Sequence, residues 1–216
     1  TLLINGGMAV YVSRMVGGGQ ATVLNVLDRG AVCDGLQDDT PALQQALEEA
    51  ARRGVALYIP KRSCAVYGTL SLRSGVVVRS DGGVLLHKGS GALLSAADAD
   101  DWMIEGPLML AGSKSGTGLL VERGDRYIVD KLTVRAFAQG ITLVGGKQAQ
   151  ARGDRGRFAF VSLIDNEVGL SLRPEGVYSA EYNLFTLMHF SGNRMAAHII
   201  SGNNVMSASN IVDNEE

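Results

Sequence analysis

Residues 30 to 60 read GAVCDGLQDDTPALQQALEEAARRGVALYIP, and this stretch decides the fold. It predicts an α-helix over residues 41–53, because Pro41 suits the first helical turn, where its missing N–H group leaves no hydrogen bond unmade. Thr40 is a favourable N-cap, and Gly54 is a favourable residue just after the last turn. The helix has one apolar stripe at helical spacing. The stripe consists of Leu43, Ala46, Leu47 and Ala50.

The segments on either side of this helix have different roles. Val55 to Ile59 is a continuous apolar run that predicts a buried strand, and Pro60 ends it. The acids Asp34, Asp38 and Asp39 precede the helix, where three carboxylates also suggest a metal or catalytic cluster. We interpret them as loop and capping residues, because the positive end of a helix dipole favours acids without any catalysis.

The composition is that of a folded, turn-rich chain. Hydrophobic residues make up 46% and charged residues 19%, which argues against disorder. The 28 glycines and 4 prolines, among many short apolar runs, suit an all-β protein. A net charge of −2 without a basic block argues against nucleic acid as a partner. No apolar run approaches the ~20 residues of a membrane helix, so we expect no membrane insertion.

The sequence predicts neither a cofactor nor a metal. Cys33 and Cys64 do not have metal-ligand spacing, and a chain of this length needs no disulfide framework. The glycines at 17–19 lack the strand–glycine–helix order of a phosphate loop. The Gly145-Gly146-Lys147 run lacks the first glycine and the Ser or Thr of that motif.

From Leu70 onward, short apolar runs alternate with Gly, Asn, Asp and Ser, which predicts many short strands. Related runs recur roughly every 20 to 30 residues, a period typical of a solenoid. The runs QGITL, VGLSL and AAHII share one register, which aligns Ile141, Leu170 and Ile199. Identical side chains then stack between coils, and amides bond along the stack. The recurring asparagines that predict such a ladder are Asn166, Asn193 and Asn214.

The segment from Gly30 to Gly83 resembles the opening of the pectate-lyase-like parallel β-helix proteins, which include phage tailspikes and alginate epimerases. The resemblance covers about a quarter of the chain. It rests on Gly30-Ala31, Asp34-Gly35, Asp38-Asp39-Thr40, Ile59-Pro60 and the run from Leu70 to Val76. Cys33 stands where the family usually has glycine, and the Asp-Pro-His-Glu motif of the epimerases is absent. The resemblance implies an all-β, right-handed parallel β-helix with an N-terminal capping α-helix.

We therefore divide the chain into three segments. Residues 1–22 form a neck or strand segment, residues 23–66 form the capping segment, and residues 67–216 form the coils. The polar stretches 145–157 and 95–101 are expected to be loops that leave the solenoid. We expect the coils to be truncated at Glu216, so that further chain or a partner covers the last one, because an open coil exposes strand edges.

Hydrolysis of a glycan needs two carboxylates, about 5–5.5 Å apart in a retaining enzyme and about 6.5–9.5 Å apart in an inverting one. Acids close together in a turn, or one coil apart, fit such distances. Each acid alone is more commonly a solvated turn residue. The candidate catalytic acids are Asp165, Glu167, Glu181, Asp213 and Glu215.

A polyuronate lyase needs instead a base and a cation that stabilises the enolate. The candidate substrate-binding residues are Arg173, Arg194, His189 and Tyr182. His198 lies inside an apolar run, and we expect it to be a core residue. Aromatic rings stack on sugar faces, although stacking inside the coils is their commoner use. The aromatic candidates are Trp102, Tyr178, Tyr182 and Phe190.

The resemblance implies a function as well as a fold. The chain is expected to be part of a phage tailspike or depolymerase that binds and cleaves a bacterial surface polysaccharide as a homotrimer. Its expected location is the virion tail or the extracellular space. Two alternatives stay open: a secreted polyuronate lyase acting alone, and a non-enzymatic stalk or adhesion module.

Overall fold

The structure, a computed structural model of the 216-residue chain, describes residues 23–146, 154–175 and 180–216. These residues form a parallel β-helix of about seven coils, with one α-helix near the N-terminus. The all-β parallel β-helix predicted from the sequence is therefore confirmed. The predicted neck over residues 1–22, the stacking candidate Tyr178 and the centre of the predicted 145–157 loop lie outside the described residues.

Each complete coil contributes a segment to each of three faces, and neighbouring segments pair in parallel. The first face contains β1 (Leu24–Asn25), β3 (Ala56–Ile59), β6 (Val77–Ser80), the first parts of β9 (Met103–Ala111) and β11 (Ile128–Arg135), β13 (Arg157–Ala159), β16 (Leu184–Thr186) and β19 (Val205–Ser207). The second face contains β2 (Asp34–Asp38), β4 (Ser63–Val66), β7 (Gly83–His87), the second parts of β9 and β11, β14 (Ser162–Ile164), β17 (His189–Ser191) and β20 (Asn210–Val212). The third face contains β5 (Leu70–Ser71), β8 (Ala92–Ala97), β10 (Thr117–Glu122), β12 (Gln139–Val144), β15 (Val168–Arg173) and β18 (Met195–Ile199).

Alternation of side chains along each strand places one apolar column inside each face. On the third face the column runs through Leu119, Ile141 and Leu170, which are directly paired. On the first face, the rings of Phe158 and Phe185 stack with centroids 4.8 Å apart. Burial of each such side chain contributes about 1.5–3 kcal/mol, so the interior column holds the coils together.

The faces meet at three corners, where single residues adopt left-handed backbone conformations in coil after coil. The first corner, between the first and second faces, contains Lys131, Phe160, Leu187 and Ala208. The second corner, between the second and third faces, contains Ala136, Asp165, Gly192 and Asp213. The third corner, which leads back to the first face, contains Asp101, Arg126, Arg155, Tyr182 and Asn203.

The predicted asparagine ladder is confirmed inside the second corner. Asn166 Nδ2 donates to Asn193 Oδ1 at 3.0 Å, and Asn193 Nδ2 donates to Asn214 Oδ1 at 2.8 Å. A second ladder, which the sequence did not suggest, lies inside the third corner. There Asn183 Nδ2 donates to Asn204 Oδ1 at 3.0 Å, and Tyr127 occupies the ladder position two coils earlier.

The capping helix α1 (Thr40–Arg53) buries Leu43, Ala46, Leu47 and Ala50, as predicted. Asp39 rather than Thr40 is its N-cap residue, a difference of one position. The Thr40 hydroxyl instead accepts a hydrogen bond from the Tyr67 amide at 2.9 Å. On the outer side of the helix, Arg29 and Arg53 bond to Glu49 and lower the pKa of that carboxyl to about 2.

The three acids before the helix serve the cap, as predicted. Asp39 is buried, and its carboxylate accepts hydrogen bonds from the amides of Val32, Cys33 and Ala65. The sequence did not predict the disulfide between Cys33 and Cys64, which joins this loop to β4. Cys33 has a φ of 51°, a left-handed conformation that glycine adopts more readily than any other residue.

Four local expectations were wrong. The apolar run from Phe160 to Ile164 predicts one of the short strands, but Phe160 lies at the first corner between the separate strands β13 and β14. Residues 95–97 belong to β8 rather than to a loop. Leu170 pairs with Ala197, and Leu172 pairs with Ile199, so the predicted alignment of Leu170 with Ile199 was wrong by two residues. Alternation could not reveal this error, because a shift of two residues leaves the same side chains pointing inward. His198 is exposed rather than a core residue, and it pairs with Ser171, which alternates with the inward Leu170 and Leu172.

Candidate functional site

Four of the five candidate acids meet at the second corner. Asp165 and Asp213 occupy its left-handed positions, two coils apart, and Gly192 lies in the coil between them. Glu167 and Glu215 follow two residues later on the other side of the buried asparagine ladder. The corner thus carries two parallel columns of charged side chains along the solenoid axis.

Asp165 is held by groups from two other coils. Arg135 places Nε and Nη2 each 2.9 Å from Asp165 Oδ2, and Lys114 Nζ hydrogen-bonds to the Asp165 main-chain carbonyl. The side chains of Asp165 and Arg135 remain 38% and 57% exposed. The carboxylate is therefore fixed in direction while it stays accessible to a ligand.

Gly192 leaves a gap between the two acids of the second corner. A Cβ atom at this position would lie 2.5 Å from Asp165 Oδ1, so the Asp165 carboxylate leans across the glycine towards the Asp213 coil. Strand spacing places the two backbones about 9.6 Å apart. Asp213 is exposed and makes no ion pair with another described residue.

The second column contains an ion pair along the axis. Arg194 Nε lies 3.3 Å from Glu167 Oε2, and Arg194 Nη1 lies 3.9 Å from Glu216 Oε2. All three side chains are close to half exposed or more, so the pairs contribute little to stability. Arg194 thus sits between acids of neighbouring coils, where it is available to a ligand.

A shallow depression of about 530 Å³ lies beside Asp165. Its lining consists of Ala111, Gly112 and Ala136, which lack large side chains, and of the charged residues Lys114, Arg135 and Asp165. Two cations and one carboxylate therefore surround a small open surface. Such a surface suits a ligand that carries hydroxyl or acidic groups.

Glu181 and Tyr182 lie away from these acids, at the third corner. Asn203 Nδ2 donates to Glu181 Oε2 at 3.1 Å, and the Tyr182 side chain is 55% exposed. The rest of this corner is a stack of ion pairs. Both oxygens of Asp101 contact Arg126 at 2.8 Å, and this hydrogen-bonded pairing raises the pKa of Arg126.

The remaining candidates are dispersed. Arg173 is exposed at the end of β15 on the third face, and His189 begins β17 on the second face. Trp102 and Phe190 are both fully buried, and Trp102 stacks on Tyr127 with centroids 4.7 Å apart. Both rings therefore lie inside the coils rather than on the surface, as the commoner use expected from the sequence.

Arg135 and Lys114 were missed by the sequence reasoning. Arg135 ends the apolar run Leu132 to Val134 and reads as the polar end of a strand. Lys114 lies in the segment Gly-Ser-Lys-Ser-Gly, which reads as a plain turn. Only the stacking of coils brings both cations to Asp165, which is 30 residues from Arg135 and 51 from Lys114.

One group of metal-type ligands occurs among the described residues: Cys33, Asp39 and Cys64. Their disulfide and the three amide contacts of Asp39 already occupy these ligand atoms. None of the described helical segments has the length and hydropathy of a membrane span.

No family model and no curated protein matches the sequence. Solved structures do match the fold. ORF18 of Geobacillus virus E2 has a TM-score of 0.72 at 17% identity, over 94% of this chain and 45% of that protein. A 1,3-α-1,4-β-D-galactose-4-sulfate-3,6-anhydro-D-galactose-2-sulfate 4 galactohydrolase has a TM-score of 0.69 at 17% identity, over 86% of this chain and 48% of that protein.

The third similar structure is a tailspike. Protein gp49 of the Acinetobacter baumannii bacteriophage Fri1, a capsular polysaccharide depolymerase, has a TM-score of 0.64 at 14% identity. The match covers 80% of this chain and 35% of the tailspike, so this chain spans less than half of the length of each of these three proteins. The chain shares the β-helix architecture of phage and polysaccharide-degrading proteins. At these identities, the likeness shows the fold alone.

Proposed function

We propose that this chain is the β-helical part of a phage tailspike or depolymerase and binds a bacterial surface polysaccharide along its second corner. The observation that carries this proposal is the set of exposed charged side chains that successive coils place along the second corner. They include Lys114, Arg135, Asp165 and Arg194. A polysaccharide is itself a repeating ligand with many hydroxyl and acidic groups. A tailspike among the proteins of similar fold supports the same class.

The same corner offers a pair of acids for hydrolysis. Asp165 and Asp213 lie on either side of Gly192, two coils or about 9.6 Å apart along the axis, a spacing of the order of the 6.5–9.5 Å of an inverting pair. Asp165, held by Arg135, is the base that activates water. Asp213, which has no ion pair among the described residues, donates the proton to the leaving oxygen. Water then attacks the anomeric carbon as the glycosidic bond breaks.

The assembly and location belong to the same proposal. The tailspike class implies a homotrimer on a virion tail or in the extracellular space. The disulfide between Cys33 and Cys64 supports an oxidising environment, where disulfides persist. Light scattering after gel filtration measures the mass, and a value of three chains is expected.

Binding and cleavage are tested on purified capsular polysaccharides and O-antigens. Asp213→Asn and Asp165→Asn should each lower reducing-end release by about a hundredfold or more, while binding persists. Glu181→Gln, at the third corner, is the matched control and should leave the rate unchanged.

Other outcomes would support one of the alternative functions. An unsaturated product detected by its ultraviolet absorbance would indicate a lyase. Binding without any cleavage would indicate an adhesion module and remove the acid pair from the proposal. Failure of the wild-type chain to bind any polysaccharide of the panel would overturn the proposed function.

A further inference from the structure

Phe160 is unlike the other phenylalanines of this protein. The chain has five, and the remaining four are each at most 1% exposed, whereas Phe160 is 55% exposed at the first corner. Its ring stacks on no other aromatic ring of the described residues. A large apolar ring is thus held in solvent in a protein that buries its other phenylalanines.

The backbone at Phe160 makes this placement more unusual. Its φ is 54°, and the left-handed conformation costs a residue with a bulky side chain about 1–2 kcal/mol. The corner itself does not require phenylalanine, because Lys131, Leu187 and Ala208 occupy the same position in other coils. Neither packing nor backbone geometry explains the ring, which points to a role in contact with a ligand.

A column of polar side chains on the second face runs along the solenoid axis beside this ring. Ser162, His189 and Asn210 pair with one another in successive coils, and their side chains point outward. Arg135 and Asp165 lie at the opposite edge of the face. Phe160 and Asp165 are five residue steps apart, so a path across the face between them is at most about 17 Å long, which accommodates an oligosaccharide.

We propose that Phe160 stacks on a sugar ring and that the polysaccharide crosses the second face, from the first corner to Asp165 at the second. The inference rests on the proposed function and deepens it, because it adds a binding residue and a direction. Sugars present an apolar face of C–H groups and an edge of hydroxyls. An exposed ring beside a column of hydroxyl, imidazole and amide groups matches both parts.

The first experiment compares Phe160→Ala with Leu187→Ala by calorimetry, using a capsular polysaccharide or O-antigen that the wild type binds. Leu187 is a matched control because it has the same corner position one coil later, the same φ of 54° and 41% exposure. Phe160→Ala should weaken binding by about tenfold or more, as loss of an aromatic stacking partner does elsewhere. Leu187→Ala and Leu184→Ala on the first face should leave the affinity nearly unchanged.

A second variant reports contact directly. The chain has one tryptophan, Trp102, which is fully buried, so Phe160→Trp introduces an exposed fluorophore against a constant background. Addition of the same polysaccharide should shift its emission to shorter wavelength and preserve the affinity. His189→Ala, in the polar column beside Phe160, should weaken binding as well.

The possible results separate the two proposals. If the wild type binds and Phe160→Ala binds equally well, stacking at Phe160 is wrong while the proposed function stands. If Phe160→Ala changes the oligomeric mass, the ring belongs to a contact between subunits and the inference is again wrong. If the wild type binds no polysaccharide of the panel, the proposed function fails and this inference fails with it.

Discussion

At the scale of single residues, the corners determine which chemistry the surface carries. A left-handed corner turns the chain between two faces and leaves its side chain pointing into solvent, so residue type there is free of packing constraints. Asp165, Gly192 and Asp213 occupy equivalent positions in neighbouring coils. One glycine between two acids makes a gap that any larger residue would fill.

His87 is a buried core residue that should make the stability of the protein depend on pH. It is 3% exposed, lies 5.7 Å from the Phe137 ring, and neither of its ring nitrogens has a hydrogen-bond partner among the described residues. Burial lowers the pKa of His87; the nearby Gly91 backbone offsets this in part, without meeting the geometry of a hydrogen bond. Protonation therefore favours the unfolded chain.

We therefore expect the protein to lose stability as the pH falls below neutral. The free energy of unfolding should be steady above about pH 7, then fall as the pH drops from the unfolded pKa of about 6.5 towards the lower folded value. One histidine contributes at most about 1.4 kcal/mol per pH unit. Urea unfolding of the wild type and His87→Leu between about pH 8 and about pH 5 measures this. Equal pH profiles of the two proteins would contradict the assignment.

Asn193, in the middle of the ladder, should be sensitive to truncation. Its Oδ1 accepts from the Asn166 amide at 3.0 Å, and its own Nδ2 donates to the Leu163 carbonyl at 2.8 Å. Asn193→Ala leaves these buried groups unpaired and should lower the free energy of unfolding by about 2–3 kcal/mol. Asn210→Ala, at an exposed strand position, should change it by less than about 0.5 kcal/mol. Similar losses in the two variants would refute a stabilising ladder.

At the scale of elements, the N-terminal cap combines helix, loop and disulfide. Asp39 ends the loop, starts α1 and binds the Ala65 amide of β4 with its carboxylate. The disulfide joins the same loop to β4 across 31 residues of sequence. The helix therefore covers the first coil as part of a cross-linked unit rather than as an isolated element.

Reduction of this disulfide should destabilise the cap. Loop-closure entropy for a separation of 31 residues predicts a loss of about 3–4 kcal/mol in the free energy of unfolding. Denaturant unfolding with and without a phosphine reductant measures the change. A variant with both cysteines replaced by serine should start at the reduced value and show no response to reductant. A response of that variant equal to the wild type would exclude the disulfide as the cause.

At the scale of the whole molecule, each coil contacts only its neighbours. Stability is then approximately a sum of coil and interface terms along one axis. Within the 216-residue chain this gives a gradient, because Phe190 is fully buried whereas Ile211, its partner one coil later, is 57% exposed. Within these residues the last coil packs against a neighbour on one side.

Hydrogen exchange should reveal that gradient. Amides of β11 and β12 should exchange only through global unfolding, whereas those of β19 and β20 should exchange through local opening at much lower free energy. Mass spectrometry of peptides from both regions of the 216-residue chain measures the difference. Uniform protection along the axis would indicate all-or-none unfolding and contradict the nearest-neighbour description.

The sequence by itself determined the elements whose signals are local. The helix, its apolar stripe and its glycine stop follow from contacts within a few residues, and alternation identified most strands of the third face. The repeat of Asn166, Asn193 and Asn214 was visible because a solenoid converts sequence period into spatial stacking.

Tertiary structure alone decided which residues of neighbouring coils lie beside each other. Coil lengths differ, so the register of Ile199, the corner position of Phe160 and the approach of Lys114 and Arg135 to Asp165 were not readable from period or alternation. The disulfide was equally hidden, because the distance between Cys33 and Cys64 depends on how the cap packs on the first coil. Local sequence patterns determine the secondary-structure elements of this fold. Its surface, however, combines residues many positions apart in the sequence, and packing sets the distances between them.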